Sequence, residues 1–181
     1  ETLMQIRKAA QTDLDAIEES YRELLRNIPP EENYSGWVLD VYPNRAWVEE
    51  NLGDMWVLVD EAGFGGSMIL NHQQAADYQE IPWEIPAEPD AVMVIHTLCI
   101  PPSRAGRGYG RAMVNFAIDE AVRQKMKALR LDTAAGNRPA AALYQSCGFA
   151  LRGKRQVLHQ GVIPEKLIFF EMGLSNPCKM G

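Results

Sequence analysis

The stretch from Val92 to Met126 constrains this chain most. An apolar, strand-like run leads into Pro101-Pro102-Ser103-Arg104-Ala105-Gly106-Arg107-Gly108-Tyr109-Gly110, and a helical pattern follows. Gly106, Gly108 and Gly110 carry no Cβ, so the backbone there can turn tightly, approach a ligand closely and leave N–H groups pointing outward. A helix that starts at such a turn adds its unpaired N-terminal donors and the positive end of its dipole. Arg104, Arg107 and Arg111 bring three cations to the same place, and guanidinium forks match phosphate oxygens. Two readings fit a bare G-x-G-x-G: a cradle for an anion such as pyrophosphate, or a glycine turn with solvated arginines.

The surrounding pattern is that of alternating strands and helices. Leu3 to Ala9 alternates apolar and polar residues as a strand does. Thr12 is placed to cap a helix in which Leu14, Ile17, Tyr21, Leu24 and Leu25 keep three-four spacing, and Pro29-Pro30 ends it. A second short helix is expected from about Asn44 to Leu52, with Gly53 stopping it. Met55 to Asp60 and Phe64 to Leu70 form a hairpin around Glu61-Ala62-Gly63. From 71 to 90 the periodicity vanishes and Pro82, Pro86 and Pro89 appear, which predicts a long loop or insertion, a class that is often functional or mobile. Ala91 to Ile100 reads as a central strand. In the helix after the glycine turn, Met113, Val114, Ala117, Ile118, Ala121 and Val122 share one face. Ala128 to Thr133 is a further strand, Asn137 and Pro139 open a helix that runs to Ser146, and Phe149 to Val157 and Lys166 to Leu174 are the final strands.

With 181 residues, 46% of them hydrophobic, the expectation is one domain over residues 1–174, with the 71–90 stretch inserted in it and 175–181 as a tail. A net charge of -6 argues against nucleic acid as a partner. No apolar run is long enough for a membrane span, and no secretory leader pattern opens the sequence, so a cytoplasmic location without membrane contact is expected. Cys99, Cys147 and Cys178 are widely spaced, as are His72, His96 and His159. Neither a disulfide framework nor a metal site is expected. Cys99 and Cys147 read as small packing residues.

Two passages together resemble the GNAT superfamily of N-acetyltransferases. The family pattern Gln/Arg-x-x-Gly-x-Gly/Ala, opening a helix after a strand, is matched by Ala105-Gly106-Arg107-Gly108-Tyr109-Gly110, with Ala105 departing from the usual Gln or Arg. A second signature, asparagine, an alanine-rich helix ending in tyrosine and then Gly-Phe, is matched by Asn137 to Phe149. The resemblance implies an α+β fold: a mixed, mostly antiparallel sheet of six to seven strands flanked by about four helices, with a splayed cofactor-binding strand.

It also implies acetyl-CoA as donor and no metal. Leu98, Cys99 and Ile100 would offer backbone groups to the pantetheine arm, and Gly106, Arg107, Gly108, Gly110 and Arg111 would surround the pyrophosphate. Asn137 would contact the cofactor near the thioester, and Tyr144 would be the general acid that protonates the departing thiolate. The base is open. His96 has an unperturbed pKa of about 6.5, suited to proton abstraction, yet a hydrogen-bonded histidine in a central strand fits as well, and Glu84 or another carboxylate of the 71–90 stretch acting through water is a further candidate. The acceptor would be a primary amine of a small molecule or peptide, bound near Tyr34, Trp37 and Trp83. The acids Asp77, Glu80, Glu84, Glu88 and Asp90 either form an acidic, aromatic rim for a cationic acceptor or merely solvate the loop. Direct transfer by a monomer or homodimer is the expected reaction. The alternative is a non-catalytic acyl-CoA sensor on the same fold.

Overall fold

A computed structural model describes residues 3–29, 37–159 and 163–174. Among these residues seven strands and four α-helices follow one another: β1 (Met4–Lys8), α1 (Leu14–Asn27), α2 (Arg45–Asn51), β2 (Met55–Asp60), β3 (Gly63–Asn71), β4 (Val92–Cys99), α3 (Tyr109–Arg123), β5 (Ala128–Ala134), α4 (Arg138–Ser146), β6 (Ala150–His159) and β7 (Ile163–Gly173). The strands form one sheet in the order β1-β2-β3-β4-β5-β7-β6. β4 and β5 run parallel, from Val92↔Ala128 to Ile95↔Leu131, while β1/β2, β2/β3, β5/β7 and β6/β7 are antiparallel. This is the α+β architecture expected from the sequence. Among the described residues no helix is long and apolar enough to cross a membrane.

The chain groups into two compact units. The first comprises the described residues up to Leu70 together with His96–Met113. Its core gathers Leu14, Ile17 and Tyr21 of α1, Val48 of α2, Met55 and Val57 of β2, Ile69 of β3 and Cys99 of β4. The helical spacing of α1 thus does what the sequence predicts, but its start differs. The Asp13 carboxylate accepts the Ala10 N–H at 2.7 Å and both terminal nitrogens of Arg7 at 2.8 and 2.9 Å. The chain therefore enters by a tight 3-10 turn over Gln11–Asp13, and Asp13 rather than Thr12 satisfies the entry donor. In α2 the Asn44 side chain accepts the Trp47 N–H at 3.0 Å, and Gly53 lies inside a 3-10 turn over Leu52–Asp54 rather than ending the helix alone.

The second unit comprises residues 71–95 and the described residues from Val114 on. Here the 71–90 stretch is part of the core. It winds through 3-10 turns at Ala76–Glu80 and Pro89–Ala91 and buries Tyr78 and Ile81 with Val92, Val94, Ala128 and Phe169. Trp83 packs against the same cluster, with ring centroids 5.5 Å from Tyr78 and 6.3 Å from Phe169. The anchor beneath it is Glu171 of β7, only 1% exposed. Its carboxylate accepts Arg130 Nε at 2.9 Å, Arg152 Nε at 3.1 Å, and the backbone N–H groups of Glu84 and Ile85 at 3.0 and 3.2 Å. Arg130 also donates to the Ile85 carbonyl and lies 4.4 Å above the Trp83 ring. In α3, Val114, Ala117 and Ala121 are buried as predicted, while Val122 is 45% exposed and Glu120 is buried instead, bonded to Arg123 and Gln124.

Candidate functional site

The glycine turn lies in the first unit. Pro102–Arg104 form a 3-10 turn, with the Arg104 N–H on the Pro101 carbonyl at 2.8 Å, and the Ser103 N–H donates to the Glu23 carboxylate of α1 at 2.6 Å. Gly106 and Gly108 then take φ of 77° and 76°, the left-handed region that side chains disfavour. A Cβ at either would point into open space. The backbone is therefore bare on that side, and Gly108 passes directly into α3, its carbonyl accepting the Ala112 N–H at 3.0 Å. The first N–H groups of α3 have no partner within the helix, which makes this terminus suited to an anion. Arg107 and Arg111 are exposed beside it, and Gly110 is in the first turn.

Arg104 is used otherwise. Its guanidinium pairs with Asp60 at the end of β2, and the Tyr109 hydroxyl donates to the same carboxylate, which also accepts the Ala62 N–H at 2.8 Å. The Arg104 bond first, and the Tyr109 bond second, hold the Asp60 carboxyl well below the usual carboxylate range. A Cβ on Gly65 would lie 3.1 Å from the Tyr109 ring and 2.8 Å from Leu58, so the glycine permits this close approach. Asp60 thus ties the entrance of α3 to the β2–β3 hairpin. Sequence reasoning missed it, because nothing in local spacing joins a residue at the end of β2 to a turn more than forty positions later.

β4 carries His96, Leu98 and Cys99, with Ile100 immediately after. Thr97, between them, has φ of 47°, which breaks the regular pleat just before these residues. His96 and Leu98 are half-buried and Cys99 is buried, its Sγ directed to the Ser20 carbonyl at 4.0 Å. Burial pushes the Cys99 thiol up to about 12, so it is inert as a nucleophile and fits the packing role expected of it. Near it the hydroxyls of Tyr21, Ser67 and Thr97 are sequestered without well-formed hydrogen bonds. Ser67 and Thr97 still lie close enough to pull the Tyr21 phenol down against the larger upward push of burial. Of the residues expected to meet an acceptor, Trp37 stands edge-on to Tyr21 at 5.3 Å, and Tyr34 lies outside the described residues. Trp83, in the second unit, has its indole N–H on the Tyr78 carbonyl at 2.8 Å and its face under Arg130.

In the second unit Asn137 caps α4, its Oδ1 accepting the Ala140 N–H at 3.2 Å. Seven residues on, Tyr144 is 6% exposed, flanked by Phe149 and Phe170 at 5.9 and 6.0 Å. Burial, followed by the charge of Asp132 and the nearby Cys147, raises its phenol above the ordinary range, so it holds its proton at neutral pH. Tyr78 donates to Asp132 at 2.6 Å. The acids of the 71–90 stretch meet cations that the local sequence does not show: Arg155 of β6 pairs with Asp77 at 3.4 Å and Glu80 at 4.0 Å, and Arg152 pairs with Glu84 at 3.2 Å. Among the described residues no group of three or more His, Cys, Asp or Glu side chains is arranged to hold a metal ion.

The comparison with known families decides what this arrangement belongs to. The model of the acetyltransferase (GNAT) family matches residues 14–149, which include both the glycine turn and the Asn137 to Phe149 passage. The chain belongs to the GNAT acetyltransferase family. Among curated proteins, it is 26% identical over 137 residues to mycothiol acetyltransferase of Renibacterium salmoninarum; the match takes in 70% of this chain and 40% of that protein's length. Solved structures share the fold. They include an N-acetyltransferase from Staphylococcus aureus Mu50 (21% identity, TM-score 0.69, 96% of this chain and 99% of that one). A GCN5-related N-acetyltransferase from Kribbella flavida aligns at 22% identity and TM-score 0.70, over 94% and 98%. YncA from Salmonella typhimurium, solved with its cofactor acetyl-CoA, aligns at 20% identity and TM-score 0.65, over 98% of each chain.

Proposed function

We propose that this GNAT domain, spanning residues 1–174, transfers an acetyl group from acetyl-CoA to a primary amine of a small molecule or peptide. The observation that carries the reading is the turn in which Gly106 and Gly108 are left-handed and open on one side immediately before the N-terminus of α3. Backbone donors presented in this way suit a pyrophosphate, and Arg107 and Arg111 add charge. The acetyl-CoA in the Salmonella typhimurium YncA structure supports the choice of donor. Backbone groups of Leu98, Cys99 and Ile100 would receive the pantetheine arm, and Asn137 would lie near the thioester.

Transfer requires a neutral nitrogen, a new C–N bond at the acetyl carbonyl, cleavage of the C–S bond and a proton for the sulfur. Tyr144 is assigned the last step. Its raised phenol keeps the proton until a stronger base, the departing thiolate, forms beside it. His96 is a candidate to take the proton from the amine. Contact with the acceptor is assigned to Trp37 and Tyr34 ahead of Trp83, whose indole is engaged within its own unit. Orientation of two bound substrates supplies much of the rate in such a scheme, so the base need not be strong.

The test is release of free CoA thiol across a panel of polyamines, arylalkylamines, aminoglycosides and peptide N-termini. Tyr144→Phe should lower kcat by roughly 10²-fold while CoA affinity stays within twofold, in keeping with loss of a general acid. CoA binding without turnover on any amine would favour an acyl-CoA sensor. Failure to bind CoA would defeat the reading altogether.

A further inference from the structure

We propose that Asp60 is a positioning residue for the cofactor: it sets the mouth of the pyrophosphate turn through Arg104 and Tyr109, and it keeps Arg104 as a strut rather than a phosphate contact. This rests on the acetyl-CoA reading above. Asp60 ends β2 and pairs with Gly63 to close the hairpin. Its side chain is 2% exposed, and both oxygens are in use. Oδ1 accepts the Ala62 N–H at 2.8 Å, which fixes the carboxylate to the hairpin turn, while Oδ2 accepts from the Arg104 guanidinium and the Tyr109 hydroxyl. Arg104 stands two residues before Gly106, and Tyr109 directly after Gly108. One carboxylate therefore grips the chain on both sides of the two left-handed glycines.

The hairpin is shaped to receive this grip. β3 bulges at Gly65, the extra residue between the pairs Leu58↔Gly66 and Val59↔Phe64. The Tyr109 ring lies against that glycine, where a Cβ would stand 3.1 Å from it, and from this seat its hydroxyl reaches Asp60. On the other flank Glu23 of α1 accepts the Ser103 N–H at 2.6 Å. The turn is thus fastened at Ser103, Arg104 and Tyr109, and bare at Gly106 and Gly108 between them. Donors held in place before the anion arrives need no ordering when it binds. Charge divides in the same way. The Arg104 side chain is 11% exposed, ion-paired to Asp60, and its guanidinium carbon lies 5.8 Å from the centre of the Tyr109 ring. Arg107 and Arg111 are exposed. The Arg104–Asp60 pair is neutral as a unit, so the phosphates are met by Arg107 and Arg111.

The experiment compares two donors on the full chain with a responsive amine: acetyl-CoA, and S-acetylpantetheine, which has the same thioester and arm but no pyrophosphate. CoA affinity is measured by calorimetry on the same samples. Asp60→Asn should weaken CoA binding and lower kcat/KM for acetyl-CoA by about tenfold, while kcat/KM for S-acetylpantetheine stays within about twofold. Tyr109→Phe should show the same split at smaller size, and Asp60→Asn with Arg104→Met should lose no more than the larger single variant. Raising salt from about 50 to about 300 mM should weaken CoA binding alike in wild type and Arg104→Met, and less in Arg107→Ala. Equal losses on both donors mean that Asp60 only supports the fold and overturn the inference, as does an unchanged CoA affinity in Asp60→Asn. Salt dependence flattened by Arg104→Met as much as by Arg107→Ala overturns the strut assignment. If Asp60→Asn does not fold, a Tyr109→Phe loss no larger on acetyl-CoA than on S-acetylpantetheine overturns it instead. A wild type that binds no CoA removes both the acetyltransferase reading and this inference. A wild type that binds CoA without turnover removes the enzyme reading alone, and the calorimetric and salt arms then decide the role of Asp60.

Discussion

Replacing Glu171 by Ala should unfasten the 71–91 segment and destabilise the unit that contains it. In the folded chain this carboxylate is buried and accepts from two guanidinium groups and two backbone N–H groups. A hydrogen bond to a charged group contributes about 1.5–3 kcal/mol and a neutral one about 0.5–1.5 kcal/mol, but bonds sharing one acceptor do not add. The larger consequence is the cation left behind: Arg130 is itself buried. Breaking a buried ion pair by removing one partner costs about 3–5 kcal/mol. With a urea m-value of ~2 kcal/mol/M, the midpoint of unfolding should fall by roughly 1.5–2.5 M. Glu171→Gln, which retains one acceptor oxygen, should lose about half as much. Limited proteolysis should cut the variant first between residues 71 and 91. A midpoint within about 0.5 M of the wild type, or a protease pattern unchanged in this segment, would refute the view that Glu171 anchors it.

Asp60→Asn should release Arg104 and Tyr109 and loosen the approach to α3, raising KM for acetyl-CoA on the order of tenfold with a smaller effect on kcat. Because the Asp60 carboxyl is depressed, its contribution is complete above its unfolded pKa and is lost only as pH falls through the still lower folded value. Thermal stability of the wild type minus that of Asp60→Asn should therefore be flat from pH 5 to 8 and shrink only in stronger acid. Gly66→Ala drives a Cβ into Ile100 Cδ1 and places it 3.1 Å from the Cys99 carbonyl, an overpacking expected to cost ~1–3 kcal/mol in denaturant unfolding. Alkylation of the folded protein at pH 8, followed by peptide mapping, should leave Cys99 unmodified, since burial shields its thiol and pushes it up to about 12.

What the sequence reveals and what it conceals divide along physical lines. Helix α1 and the glycine turn are legible because their signals are local: three-four spacing of Leu14, Ile17 and Tyr21, and glycines at positions that turn out to need positive φ. The same holds for Asn137, a cap that leads a short helix to Tyr144. The 71–90 stretch conceals its packing because it buries Tyr78 and Ile81 through single turns with no repeating period. Its acids have no cation within their own stretch, because Arg152 and Arg155, with which Glu84 and Asp77 pair, sit on a strand some seventy residues later. The pairing of Glu171 with Arg130 and Arg152 depends on β7 entering the sheet between β5 and β6, an order that no local pattern specifies. The Asp60 tie to Arg104 likewise exists only once the hairpin has formed.

Thr97 gives β4 a joint. A regular strand commits every side chain to a face by parity, so that a residue's fate follows from its neighbours two positions away. A left-handed residue cancels that inheritance, and Leu98, Cys99 and Ile100 need not keep the faces that Val92 to Ile95 imply. The joint has a cost. Holding a β-branched side chain at φ of 47° disfavours the fold by roughly 1–3 kcal/mol, which glycine would largely avoid. The strand thus gives up stability at the one point where it turns toward the glycine loop.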